Sequence, residues 1–114
     1  MLSEPAQAPP RDMLHHIDLA VVFAAGLDAV AFSGDLRTAY AVTRCLEIIS
    51  EAPRRLPPAM KERHPSIPWR RMAAAGNVYR HNYEDVAANY VWDTVQLDLP
   101  SPRIVIEQEL ANAG

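Results

Sequence analysis

The chain reads as an all-α protein, an up-and-down bundle of about four to five helices. Nearly half of its 114 residues are apolar and only four are glycine. Alanine and leucine recur in long windows without the alternation of a half-buried strand. The links between the apolar windows are short, which makes successive helices antiparallel neighbours. A chain of this length buries one core of moderate size, so residues 11–114 are expected to form a single domain.

The first ten residues, "MLSEPAQAPP", have neither a basic n-region nor an apolar h-region. They are expected to be a flexible, Pro-rich lead rather than a signal peptide. Asp12 then caps a helix from about Met13 to Gly26, with Leu14, Ile17, Val21 and Ala24 or Ala25 on one stripe. Leu19, Val22 and Phe23 make its other side apolar too, which suits burial from more than one side or a subunit contact. The longest apolar stretch, "IDLAVVFAAGLDAVAF", contains Asp18 and Asp28 and is shorter than the roughly 20 apolar residues of a bilayer span. "FSGD" breaks the chain, and Asp35 caps a second helix in which Leu36, Tyr40, Thr43, Leu46 and Ile49 follow helical spacing until Pro53 ends it. The proline-rich connector that follows has room for a short helix at about Pro58 to His64. Pro68 suits the first turn of the next helix, "WRRMAAAGNVYRH". Asp85 caps "VAANYVWDTVQLDL", and "PSP" turns the chain into a last amphipathic helix, about Arg103 to Ala111.

The net charge of −3 argues against a protein built to grip nucleic acid along its whole surface. Its distribution is uneven, however. Residues 54–81 hold seven of the eleven basic side chains (Arg54, Arg55, Lys61, Arg63, Arg70, Arg71 and Arg80) and one acid, Glu62. Such a block is either a solvated face balanced by acids elsewhere or a local anion-binding patch. In the second case Arg54, Arg55, Arg70 and Arg71 are the RNA-binding candidates.

The patch leads to His81. An imidazole titrates near neutral pH, and beside a cation it can run metal-independent RNA cleavage. It removes a proton from a 2′-hydroxyl, the hydroxyl attacks the adjacent phosphate, and the cation stabilises the charge that builds up. The residues alone equally allow a capping or core histidine at a helix end. Glu47 and Glu51 stand one turn apart and either orient that site or answer Arg44, Arg54 and Arg55 on the surface. His15 and His16, adjacent on a helix, face different ways, so with Asp12 and Asp18 they make a weak metal signal. No metal and no cofactor are expected. Tyr40, Tyr79, Tyr90, Trp69 and Trp92 read as core or dimer-packing residues. Cys45 reads as a buried thiol; as the one cysteine it can form no internal disulfide, which fits a reduced cytoplasm.

The string "LEIISEAPRRLPPAMKERHPSIPWRRMAAAGNVYRHNYEDVAANYVWDTVQLDLP" resembles the HepT-like toxins of the HEPN superfamily. They share an "LEIIGEA" helix, a "YPEIPW" turn, an Arg-containing helix that leads to His-x-Tyr, and "VWDTV…DLP". The resemblance covers about residues 12 to 110. It implies a helical homodimer with a ribonuclease site at the dimer cleft, formed by an Arg and a His four to six residues apart. It also implies a partner, an MntA-type minimal nucleotidyltransferase antitoxin, which attaches AMP to the Tyr two residues past the His. The His corresponds to His81, the Tyr to Tyr83, and the polar residue after the Arg to Asn77. The Arg position falls on Gly76, and no other arginine lies four to six residues before His81. Either Arg80 or a basic residue of the second subunit supplies the cation in a rearranged site, or the fold is kept and cleavage is lost. The expected catalytic set is thus His81, Arg80 and Asn77, with Tyr83 as the modification site.

Overall fold

The computed structural model describes residues 2–81 and 88–113, with the side chains of Arg80 and His81 outside that description. A 3₁₀ turn at Pro5–Gln7 leads into α1 (Ala8–Ala24), followed by α2 (Ala29–Gly34), α3 (Leu36–Arg55), α4 (Pro58–Arg63), α5 (Trp69–His81) and α6 (Ala88–Asp93). A π-helical turn at Thr94–Asp98 joins α6 to α7 (Pro100–Ala113). The described residues contain no strand, and the chain is the all-helical bundle expected.

The prolines mark where α1 and α7 begin. The helix expected from Met13 starts at Ala8, with Pro9 and Pro10 in its first turn, and the one expected from Arg103 starts at Pro100, with Pro102 in its first turn. The physical reason is common to both: the first-turn N–H groups have no partner inside a helix, so proline loses nothing there and its fixed φ suits the helix. The expected lead is therefore drawn into the fold. Leu2 and Pro10 are buried, and the buried Gln7 side chain donates to the Leu2 carbonyl at 3.4 Å and accepts from Arg11.

α2 occupies the stretch expected to be a break. Asp28 caps it by accepting from the Ala31 amide at 2.8 Å, and Phe32 anchors it, fully buried with its ring 5.4 Å from that of Trp92. Asp35 caps α3 as expected, accepting from the Thr38 amide at 3.0 Å and the Thr38 hydroxyl at 2.7 Å. These two bonds hold the Asp35 carboxyl below its usual pKa. Pro53 does not end this helix. It lies buried in the last turn, where its missing N–H costs a single bond, and α3 runs on to Arg55.

α3 packs against both α1 and α5, and α1 also meets α7. The core lies between them: Met13, Ile17 and Ala20 of α1, Val42, Leu46 and Ile49 of α3, Tyr79 of α5, and Ile106 of α7. The inward stripes are rotated from those read in the sequence, since Val21, Leu36 and Tyr40, expected inside, are exposed. Met60 and Trp69 fix the connector. Met60 is fully buried, and the Trp69 indole donates to the His64 carbonyl at 3.0 Å and the Lys61 carbonyl at 3.2 Å. Among the described residues no helix is long and apolar enough to cross a membrane.

Candidate functional site

α5 carries the candidate residues because its two faces differ. Met72, Ala75 and Tyr79 pack on the core, whereas Arg70, Arg71, Asn77 and Val78 are exposed. Arg80 and His81 form the helix's last backbone turn; their side chains, and Tyr83 and Asp85 entirely, lie outside the described residues. Gly76, where the sequence reading expects the arginine position, is buried. A long cationic side chain at that position would have to carry its charge out to water.

The basic block separates into two groups. Arg54 lies 3.2 Å from Glu51, and Arg55 lies 3.8 Å from Asp12. The Lys61 ammonium donates to the Pro53 carbonyl at 2.8 Å. Arg63 forms a two-pronged pair with Glu109, its Nε donating at 3.0 Å, and His64 Nε2 lies 2.8 Å from the same carboxylate. Arg55, Lys61 and Arg63 tie helices and connector together and Arg54 pairs within α3, which is the balanced-face reading of the sequence. Arg70 and Arg71 are different: they make no ion pair among the described residues. Arg71 and His81 are ten residues apart, about 15 Å along the helix axis. The cationic start of α5 and its histidine end are thus at opposite ends of one rod.

Beside Arg71 a cleft of about 490 Å³ opens between α3, α5, the π-helical turn and the start of α7. Leu46, Ile49 and Met72 form its apolar wall, while Arg71, Asp98 and Tyr90 supply polar groups. Tyr79 lies at its inner side, almost fully buried, with its ring 6.3 Å from that of Tyr90. Burial pushes the Tyr79 phenol far above its ordinary pKa, so it stays neutral and serves as a hydrogen-bonding group rather than a base. The sequence reading missed Asp98 and Thr94 as possible site residues. Nothing local signals them, because only the π-helical turn brings them round to face α5.

The remaining candidates are accounted for locally. Glu47 pairs with Arg44 at 2.9 Å, and Glu51 with Arg54. His16 Nδ1 lies 2.8 Å from the Asp12 carbonyl, and its ring meets that of His15 edge-on at 5.1 Å. Among the described residues no three His, Cys, Asp or Glu side chains are grouped to hold a metal ion. Cys45 is buried, which raises its thiol pKa and keeps it protonated.

Comparison with known proteins adds the family. The model described as "Ribonuclease HepT-like" matches residues 13–109, which includes α5 and its last turn. A protein of Thermococcus cleftensis named "Probable ribonuclease HepT" is 39% identical over 90 residues, covering 79% of this chain and 82% of that one. A Methanocaldococcus jannaschii protein named a "Putative RNase" is 33% identical over 89 residues, covering 78% and 77%. Another protein so named, from Caldanaerobacter subterraneus, is 30% identical over 95 residues, covering 80% and 85%. No solved structure gives a significant match. With the helical bundle and a family match over residues 13–109, the chain belongs to the HepT-like ribonucleases of the HEPN superfamily.

Proposed function

We propose that the chain is a metal-independent RNA endonuclease, the toxin half of a toxin–antitoxin pair, acting as a homodimer in the cytoplasm. The observation that carries this reading is the family match across residues 13–109, which spans His81 and Tyr83. His81 takes the proton of a 2′-hydroxyl, whose oxygen attacks the neighbouring phosphorus as the P–O5′ bond breaks. The departing O5′ takes a proton from water and the His81 imidazolium returns its proton to solvent, so the products are a 2′,3′-cyclic phosphate and a 5′-hydroxyl. Arg80 stabilises the charge on the phosphate, Asn77 contributes a polar contact, and Arg70 and Arg71, free of the structural pairs that engage Arg54 and Arg55, hold the strand. Acid–base catalysis of this kind supplies roughly 10² to 10⁴-fold, and the electrostatic contribution must supply much of the remainder. An MntA-type nucleotidyltransferase silences the site by adenylylating Tyr83.

The purified chain, without partner and with a chelator present, is expected to cleave RNA. His81→Ala is expected to abolish cleavage, and cleavage unchanged by that substitution removes His81 from the role. With the partner and ATP, AMP is expected on Tyr83, and Tyr83→Phe is expected to block its attachment.

Gly76 favours a second reading: a catalytically degenerate chain that binds the nucleotidyltransferase without cleaving RNA. Loss of one positioned donor to a developing charge costs about 3 to 4 kcal/mol of transition-state stabilisation. This reading expects a stable complex with the partner and no growth arrest on expression. Gly76→Arg then brings toxicity, provided that circular dichroism shows the variant folded, because the position is buried. Toxicity already present in the natural chain excludes this second reading.

A further inference from the structure

The cleft of about 490 Å³ falls within the range of small-ligand pockets, roughly 300 to 1,000 Å³. Two of its charged groups do not satisfy each other. Arg71 on α5 and Asp98 on the π-helical turn both line it, yet they form no ion pair together or with any other described residue. A ligand that satisfies both must bring an anion and hydrogen-bond donors on a single body. Tyr90 adds a flat surface at the same cleft; it is 47% exposed and its ring lies 6.3 Å from that of Tyr79. An aromatic held in this way, open on one side, is a platform for a base. The apolar wall of Leu46, Ile49 and Met72 suits the edge of a heterocycle, not a fully hydrated ion.

We infer that this cleft is a nucleotide subsite for the RNA strand, in which a base lies against Tyr90, sugar or base donors reach Asp98, and a phosphate meets Arg71. The inference deepens the ribonuclease reading and rests on it for the identity of the strand, although mononucleotide binding can be tested apart from cleavage. The subsite shares α5 with His81, although residues two apart on a helix, such as Tyr79 and His81, do not face the same way. It makes the substrate single-stranded at this position, since a base paired in a duplex cannot be turned out onto Tyr90 without losing its partner.

The test is calorimetric titration of the full chain with the four 5′-mononucleotides, with adenosine and with inorganic phosphate. None of these contains an internucleotide phosphodiester, so none is cleaved. At least one nucleotide is expected to bind, with phosphate and the nucleoside each weaker by tenfold or more. Arg71→Gln and Tyr90→Ala are each expected to lower nucleotide affinity about tenfold, Tyr90→Phe to restore it, and Arg37→Gln, an equal change of charge elsewhere, to leave it within twofold. Phosphate that competes as well as the nucleotide, or equal loss in Arg37→Gln, overturns the inference. So does the absence of nucleotide binding at millimolar concentration. If nucleotides bind as described but RNA is not cleaved, the subsite stands and the nuclease reading falls. If RNA is cleaved while Arg71→Gln and Tyr90→Ala leave KM and kcat unchanged, the nuclease stands and the subsite falls.

Discussion

Glu109 is the most perturbed carboxylate of the described residues, and its chemistry explains how a short connector is held. The Arg63 guanidinium and the His64 ring both bond to it, and together they bring its pKa down to about 2 against a partial desolvation that opposes them. A carboxylate whose folded pKa is depressed stabilises the fold above its unfolded value of 4.5, and that contribution disappears as pH falls toward about 2. Glu109→Gln is therefore expected to be less stable than the natural chain at pH 7 by about 1 kcal/mol, as for a well-formed but partly solvated pair. Urea melts should show the difference shrinking between pH 4.5 and 2. A difference independent of pH would mean that packing, not charge, holds α7 to the connector. This triad was not legible in the sequence: Arg63 and His64 read as members of a basic block, and their partner lies 45 residues further on. His81 was legible as a residue type and through its family string, but its surroundings depend on side chains that local spacing does not place.

At the scale of the element, starts and stops followed unequal rules. Asp35 behaved as a cap should, because an Asx side chain meets the amide three residues on whatever the fold around it. Gly26 likewise ends α1 as its position predicts, with φ at +80°. An added Cβ at Gly26 would meet nothing within 4 Å, so the cost of Gly26→Ala is that of a left-handed backbone alone, about 1 to 2 kcal/mol. Chemical denaturation should show this loss, and Gly26→Asn should lose less, since asparagine tolerates that region better. The prolines were harder to read. Pro9, Pro10, Pro100 and Pro102 signal a lead and a turn by composition, yet in a first helical turn the same ring costs nothing. The wide turn at Thr94–Asp98 had no sequence signal. There Leu99 donates to the Thr94 carbonyl at 3.2 Å, while the Thr94 hydroxyl bonds back to the Tyr90 carbonyl at 3.0 Å, a pattern associated with π-bulges and bent helices.

Over the whole molecule the exposed large apolar side chains of the described residues gather in one part of the sequence. Six of the ten exposed large apolar side chains among the described residues lie between residues 21 and 40, including Val30 at 82% and Leu36 at 66% exposure. A cluster of this kind suits the subunit contact proposed for the homodimer. Light scattering is expected to give the mass of two chains, and Val30→Glu with Leu36→Glu to give that of one chain with helicity retained. A natural chain that is monomeric at working concentration sinks the homodimer.

The sequence by itself determined that the chain is helical, that Asp35 caps a helix and Gly26 follows the end of one, and to which family it belongs, whereas Asp12, expected to cap the first helix, lies inside it. These properties rest on intrinsic propensity, on bonds that span three or four residues, and on motif strings, all of them local. The tertiary structure decided which face of α1 and α3 turns inward, that the leading prolines join the fold, and which basic residues are used up in holding helices together. It also decided that Arg71 and Asp98 face one cleft. Each of these depends on pairing between residues far apart in the chain, where small shifts in helix start and helix rotation choose the partner.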